Sequence, residues 1–297
     1  MKVLNFGSLN IDYVYSVEHF VRAGETISSS LLEQFCGGKG LNQSVAFARA
    51  GAETYHAGCI GSEGRMLVDM LSQSGVNTRF VKTVPSVSCG HAIIQVAPSG
   101  ENCILLYGGA NQSITEEMID EVLSHFDQGD LLILQNEINA LDLIIRKANE
   151  KGMVIALNPS PFNEKITALD FSLIHWIILN ETEGQGLTGE TDPQRILSVL
   201  LEKYPHMKVV LTLGSQGSVY TDITQQCSHG IFKTKAVDTT AAGDTFTGYF
   251  FASVIQGAIP EQALAIAAAA SSITVSRKGA APSIPTMEEV RKSGYIN

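Results

Sequence analysis

Paired cysteines, positive charge and unbroken apolar runs are all scarce in this 297-residue chain. The five cysteines, Cys36, Cys59, Cys89, Cys103 and Cys227, are odd in number, and no two form a C-x-x-C. No zinc site is visible in them, and reduced thiols in the cytoplasm are the expectation. Lysine and arginine number 20 against 30 aspartates and glutamates, a formal net charge of -10. Such a surface repels phosphate and argues against a nucleic-acid partner. An anionic nucleotide would have to be held by local features, such as helix N-termini and a metal ion. The opening MKVLNFGSLN lacks the long apolar run of a signal peptide. The longest apolar stretch, Tyr249–Val275, is rich in alanine and broken by Gln256, Gly257, Pro260, Glu261 and Gln262. It predicts two buried helices and no membrane span. There is also no repeat, low-complexity tract or long linker, so residues 1–297 read as one domain.

Hydrophobic residues make up 44% of the chain, enough for a large folded α/β unit. Strand-like runs recur at Lys2–Gly7, Thr54–Gly58, Leu131–Gln135, Val154–Leu157, Trp176–Leu179 and Val209–Leu213. Helical patterns lie between several of them, at Leu41–Ala50, Met66–Ser74, Ala140–Glu150 and Pro193–Lys203. This alternation predicts a mainly parallel sheet covered by helices on both faces, with ligands beyond the carboxyl ends of its strands. Two segments, about 12–36 and 88–107, break the rhythm with alternating polarity. Gly90–Ala97, the Pro98-Ser99-Gly100 turn and Glu101–Tyr107 read as a hairpin. Together the two segments predict a small β-sheet standing off the main one, as a lid would.

Two glycine patterns mislead. Gly184, Gly186 and Gly189 match G-x-G-x-x-G, but they follow Asn180–Glu183, which already reads as helix. A dinucleotide fingerprint needs a strand directly before it. Gly37-Gly38-Lys39-Gly40 suggests a Walker loop, yet Glu33 stands at its first glycine and Gly40 replaces the Ser/Thr that would hold magnesium.

The strongest signal is Asp238-Thr239-Thr240-Ala241-Ala242-Gly243-Asp244-Thr245-Phe246, which runs into the apolar helix Phe246–Gln256. Backbone N–H groups at a helix start lack intrahelical partners and face the positive end of the dipole, so they bind anions. Ala241, Ala242 and Gly243 have no bulk to obstruct a phosphate, and Asp244 puts a carboxylate beside it. Phosphoryl transfer needs that pairing: an oxyanion hole for the transferring group and a base for the attacking hydroxyl. An aspartate that merely complements the helix N-terminus is the plainer reading of the same residues.

Here the chain resembles the ribokinase-like sugar kinases. Asp238–Phe246 is similar to that family's C-terminal signature, and Gly37-Gly38-Lys39-Gly40-Leu41-Asn42-Gln43 to its N-terminal one. The likeness continues through Gly7-Ser8-Leu9-Asn10-Ile11-Asp12, Asn180-Glu181-Thr182-Glu183, Thr212-Leu213-Gly214-Ser215 and Arg277-Lys278-Gly279. The resemblance implies a three-layer α-β-α fold with a β lid. It implies ATP-dependent phosphorylation of a sugar's primary hydroxyl, with ribose giving ribose 5-phosphate. In it Asp244 is the catalytic base and Ala241, Ala242 and Gly243 form the anion hole. The sugar is implied at Asn10, Asp12, Gly38, Lys39, Asn42 and Glu137, whose carboxylates and amides suit vicinal hydroxyls. Asn180 and Glu183 would place Mg2+ and phosphates, largely through water, with Thr212, Gly214, Ser215 and Gly217 at the nucleotide turn. A monovalent cation such as K+ is implied at Asp238, Thr240, Thr274, Arg277, Gly279 and Ser283, and a homodimer through the lid is the expected assembly. Three departures stand out. Ala241 replaces a common glycine, Ala267 and Ala268 lie where a polar residue often meets adenine, and His91 sits in the lid hairpin in place of an apolar residue. A kinase for deoxyribose, fructose or an adenosine-like nucleoside, or a non-catalytic sugar- or nucleotide-sensing relative, stays open at this point.

Overall fold

The computed structural model describes residues 1–296. The strands in chain order are β1 (Val3–Phe6), β2 (Asn10–Ser16), β3 (Leu31–Gly37), β4 (Thr54–Ile60), β5 (Asn77–Thr83), β6 (Gly90–Val96) and β7 (Asn102–Tyr107). They continue with β8 (Leu131–Gln135), β9 (Val154–Asn158), β10 (Trp176–Asn180), β11 (Lys208–Thr212), β12 (Ser218–Thr221) and β13 (Gln226–His229). The helices are α1 (Lys39–Arg49), α2 (Arg65–Gln73), α3 (Glu116–Leu123), α4 (Leu141–Glu150), α5 (Glu181–Thr188), α6 (Pro193–Lys203), α7 (Ala242–Ile255), α8 (Pro260–Val275) and α9 (Met287–Lys292).

Nine strands form the main sheet in the order β13-β12-β11-β10-β9-β8-β1-β4-β5. The run from β11 to β5 is parallel, and β12 and β13 close one edge antiparallel. Strands such as VLNF and LLILQ are buried throughout because helices cover both faces. Successive side chains of a strand point to opposite faces, and the core divides accordingly. Val3, Leu131 and Ile133 pack with Leu41 and Val45 of α1 and with Phe250 of α7. Leu4, Phe6, Leu132 and Leu134 pack with Ile119 of α3, Ile144 of α4 and Ile196 of α6. The layers are therefore α-β-α, as the alternating runs predicted.

The strand order reverses at β1, with β4 and β5 on one side and β8 to β11 on the other. The carboxyl ends of β1, β8, β9, β10 and β11 deliver Gly7-Ser8, Gln135, Asn158, Asn180 and Thr212 to one edge of the sheet. Tyr249–Val275 does supply two buried helices, the end of α7 and α8. No helix among the described residues is long and apolar enough to cross a membrane.

The two off-rhythm segments make a separate four-stranded sheet, β3-β2-β6-β7. Its outer pairs are antiparallel hairpins, and β2 and β6 join them in parallel. Every residue of β7 is exposed. The G-x-G-x-x-G match is packing. Gly184 and Gly186 lie inside α5, where a Cβ would come 2.8 Å from the Ile196 side chain and 2.4 Å from the Phe162 ring. Gly189 ends the helix at φ 78°.

Candidate active site

Asp244 sits in the first turn of α7 and is buried. Its two oxygens are held from α1: Asn42 Nδ2 donates to Oδ2 and Gln43 Nε2 to Oδ1, each at 3.0 Å. Glycines let the helices come this close. A Cβ on Gly248 of α7 would meet that of Ala46 at 2.4 Å, and one on Gly40 would lie 2.3 Å from Ser8 N. Gln43 is itself fixed. Its Oε1 accepts from Gln135 Nε2 at 2.7 Å, and that nitrogen also donates to Asn5 Oδ1 at 3.1 Å. Asn5 Nδ2 returns to the Gly40 carbonyl at 2.8 Å, closing a ring of buried amides beneath the carboxylate.

Ala241, Ala242 and Gly243 form the entry of α7 in front of Asp244. The Ala242 N–H closes a turn on the Thr239 carbonyl at 3.2 Å, while first-turn amides such as that of Gly243 have no intrahelical acceptor. A Cβ on Gly243 would meet no atom within 4 Å, so space opens directly before the helix N-terminus. A cavity of about 90 Å³ joins Asp244, Gly243 and Thr240 to Lys39, Asn158, Ser160, Asn180, Glu183, Thr212 and Thr247.

Of the residues assigned to a sugar, Asn42 bonds Asp244 directly and Lys39 lines the same cavity. Asn10 and Asp12 lie on one face of β2, and Gly38 precedes α1 at φ 93°. Glu137 Oε2 accepts from the Lys39 backbone N–H at 2.9 Å and from the Ser8 hydroxyl. Burial raises the Glu137 pKa, against the Lys39 charge. Burial, then the negative charge of Glu137, push Asp12 up to about 7. Gly37 makes room for it: a Cβ there would lie 2.0 Å from Asp12 Oδ2. Burial alone would lower the Lys39 pKa, but Asp244, Glu137 and Glu183 outweigh it and hold the ammonium above its ordinary value. The site is a cation set among carboxylates, open at α7.

Asn180 and Glu183 form a capping box at the start of α5. Glu183 N donates to Asn180 Oδ1 at 2.9 Å, and the Glu183 carboxylate accepts from Asn180 N at 3.0 Å and from Asn180 Nδ2 at 3.1 Å. The plain helix cap and the cavity wall are thus the same pair of residues. Thr212 lines the cavity too. Gly214, Ser215 and Gly217 lie beyond it in the turn to β12, where Gly217 adopts φ 100° and a Cβ would come 2.1 Å from the His229 carbonyl oxygen.

Asp238 ties two loops together. Its Oδ1 accepts from Thr240 N at 2.9 Å and its Oδ2 from Gly279 N at 3.0 Å. Burial raises its pKa, but the bonds from Thr240 and Gly279 and the charge of Lys278 prevail and lower it. Thr274 Oγ1 meets Thr245 Oγ1 at 3.0 Å, Ser283 Oγ donates to the Ala280 carbonyl at 2.7 Å, and the Arg277 guanidinium pairs with Glu289 at 2.7 Å. Among the described residues, no three His, Cys, Asp or Glu side chains gather as a metal cage.

His91 pairs in register with Ile11, so it lies on the face of the small sheet opposite Asn10 and Asp12. It packs between Tyr13, at 5.8 Å, and Tyr107, at 5.0 Å. Ala267 and Ala268 are buried in α8. Sequence reasoning gave no role to Asn5, Gln43, Gln135, Asn158 or Asn111. The available signal was a polar residue inside or at the carboxyl end of an otherwise apolar strand, as in VLNF, LLILQ and VIALN.

Residues 1–287 match the model of the pfkB family of carbohydrate kinases. The chain is similar to the ribokinase of Haemophilus influenzae, 36% identical over 291 residues that cover 95% of each protein. Among solved structures it is similar to ribokinase from Cryptococcus neoformans var. grubii serotype A in complex with ADP, with a TM-score of 0.87 and 31% identity over 98% of this chain and 99% of that one. It is also similar to Arabidopsis thaliana ribokinase complexed with ribose and ATP, with a TM-score of 0.86 and 28% identity over 98% and 97%.

Proposed function

The chain belongs to the pfkB family of carbohydrate kinases, and from that premise we propose that it transfers the γ-phosphoryl group of ATP to the primary hydroxyl of ribose, giving ribose 5-phosphate. One observation carries the reading. Asp244 is gripped on both oxygens by the helix that also bears Lys39, and it stands at the start of α7, on a cavity shared with Asn180, Glu183 and Thr212. The hydroxyl gives its proton to Asp244 as its oxygen attacks the γ-phosphorus. The bond to the β–γ bridging oxygen breaks and ADP leaves. The amides of Ala241 and Gly243, with the positive end of α7, receive the phosphoryl oxygens, and the Lys39 ammonium balances their charge. Asn10, Asp12, Gly38, Asn42 and Glu137 hold the sugar.

The donor set fits Mg2+ held mostly through water, since the Glu183 carboxylate is already engaged in its capping box. Bound there, the ion would neutralise charge on the phosphates. The loops that Asp238 ties together are read as the seat of a monovalent cation such as K+, which hydroxyl and main-chain oxygens of Thr240, Thr274, Arg277, Gly279 and Ser283 would hold. The small sheet acts as a lid whose closure excludes water from the sugar. Its edge strands carry exposed Leu31, Leu32, Ile104, Leu105, Leu106 and Tyr107, which supports a homodimer through that sheet. Free thiols at all five cysteines suit a cytoplasmic setting.

The test is a panel of ribose, 2-deoxyribose, fructose and adenosine under saturating Mg-ATP, with the phosphorylated position read by phosphorus NMR. Ribose is expected to give the highest kcat/KM and a 5-phosphate. A clear preference for another acceptor would overturn the ribose assignment.

A further inference from the structure

Asn10 faces the sugar side of the site with an amide, and an amide presents a donor or an acceptor according to which way it is turned. In this structure the turn is dictated by Asn111. The Leu9 backbone N–H donates to Asn111 Oδ1 at 2.9 Å. A main-chain N–H is a donor only, so that end of Asn111 must be its oxygen. Asn111 Nδ2 is then the end that reaches Asn10, donating to Oδ1 at 2.7 Å. With its oxygen turned to Asn111, Asn10 is left to present its NH2 group to a ligand. Asn111 is 1% exposed and Asn10 6%. The close pairing is permitted by Gly90, opposite Asn10 on β6, where a Cβ would lie 2.0 Å from Asn111 Nδ2 and 2.3 Å from Asn10 Oδ1.

Asn42 shows the complementary arrangement. Its Nδ2 is committed to the Asp244 carboxylate, an obligate acceptor, and its buried Oδ1 has no partner in the protein. The two amides are thus locked in opposite senses, Asn10 as donor and Asn42 as acceptor.

We infer that Asn111 is a positioning residue for sugar recognition: through its anchor on Leu9 it fixes Asn10 to donate to a sugar hydroxyl oxygen and refuses the flipped amide. The inference rests on the sugar-kinase reading above, but not on ribose being the sugar.

The experiment compares Asn111→Asp and Asn111→Ala with the unaltered enzyme, on whichever sugar that enzyme phosphorylates best. Asn111→Asp can still accept from Leu9 but cannot donate to Asn10, so the Asn10 amide turns over and offers its oxygen to the sugar. Asn111→Ala releases the amide to turn either way. The expected result is a rise in KM for sugar of about 10-fold or more in Asn111→Asp and a smaller rise in Asn111→Ala, with KM for ATP within about twofold in both. Sugar Kd from calorimetry without nucleotide should follow the same order. A merely structural role gives the reverse, because alanine removes both hydrogen bonds and leaves a void. Equal effects on KM for sugar and ATP, or an alanine variant as impaired for sugar as the aspartate variant, would overturn the inference. If Asn111→Asp fails to fold, Asn111→Ala decides alone: an unchanged sugar KM, or an ATP KM that rises with it, overturns the role. Failure of the unaltered enzyme on ribose would overturn the ribose assignment and leave this comparison intact.

Discussion

Asp12 illustrates how one residue joins fold to function. Burial and the neighbouring Glu137 push its pKa up to about 7, so the folded protein keeps a proton that a free carboxylate would have lost near pH 4. Two signs follow. A pKa raised by folding means that the Asp12 contribution to stability is full below about pH 4 and is lost as pH rises through 7. In the proposed sugar-binding role an ionised Asp12 accepts from hydroxyls on both oxygens, so sugar binding is expected to expel that proton and to tighten as pH rises. KM for the sugar is therefore expected to fall between about pH 6 and pH 8, and Asp12→Asn should flatten the dependence while raising KM throughout. A sugar KM independent of pH in the unaltered enzyme would contradict the Asp12 assignment. The proposed site residues Asp244, Lys39 and Asn42 were legible in sequence because they sit in ordered blocks. The amides beneath them were not. Asn5 and Gln135 lie within single strands, and only the parallel pairing of β1 with β8 sets them side by side.

At the scale of elements, the short apolar strands and the α7–α8 region were readable because burial on both faces leaves few polar residues. Helix α3 was harder. Its eight residues are too short for a sustained period, and Thr115, which accepts from Met118 N at 3.3 Å, was its clearest sequence mark. The hairpin of β12 and β13 escaped for a similar reason, each strand having only four residues. The Asp238 connection has a functional consequence. It links the loop entering α7 to the loop after α8, and an ion shared by those loops would stiffen the Ala241–Gly243 donors. Turnover is expected to rise when potassium chloride replaces an organic counterion at fixed ionic strength, with sugar KM little changed. A flat titration, with Asp238→Ala equally active, would remove the cation from the account.

On the scale of the whole molecule, the reversal of strand order at β1 concentrates polar strand ends at one edge, and the small sheet rises beside it. That sheet leaves Leu105 67% exposed on an edge strand, a surface that association would cover. Sedimentation is expected to find a dimer at micromolar protein and a monomer for Leu105→Lys. A monomer in both would leave the exposed strand without a partner. The most direct measurement concerns Asp244, where both helices and the amide ring converge. Turnover of Asp244→Asn is to be measured at saturating Mg-ATP and sugar, alongside sugar affinity by calorimetry. The asparagine is close to the aspartate in shape and cannot take the hydroxyl proton. Turnover is expected to fall about 10²-fold or more, with sugar Kd changed by no more than a few-fold. Near-native turnover in a folded, sugar-binding Asp244→Asn enzyme would contradict the assignment of Asp244 as the base.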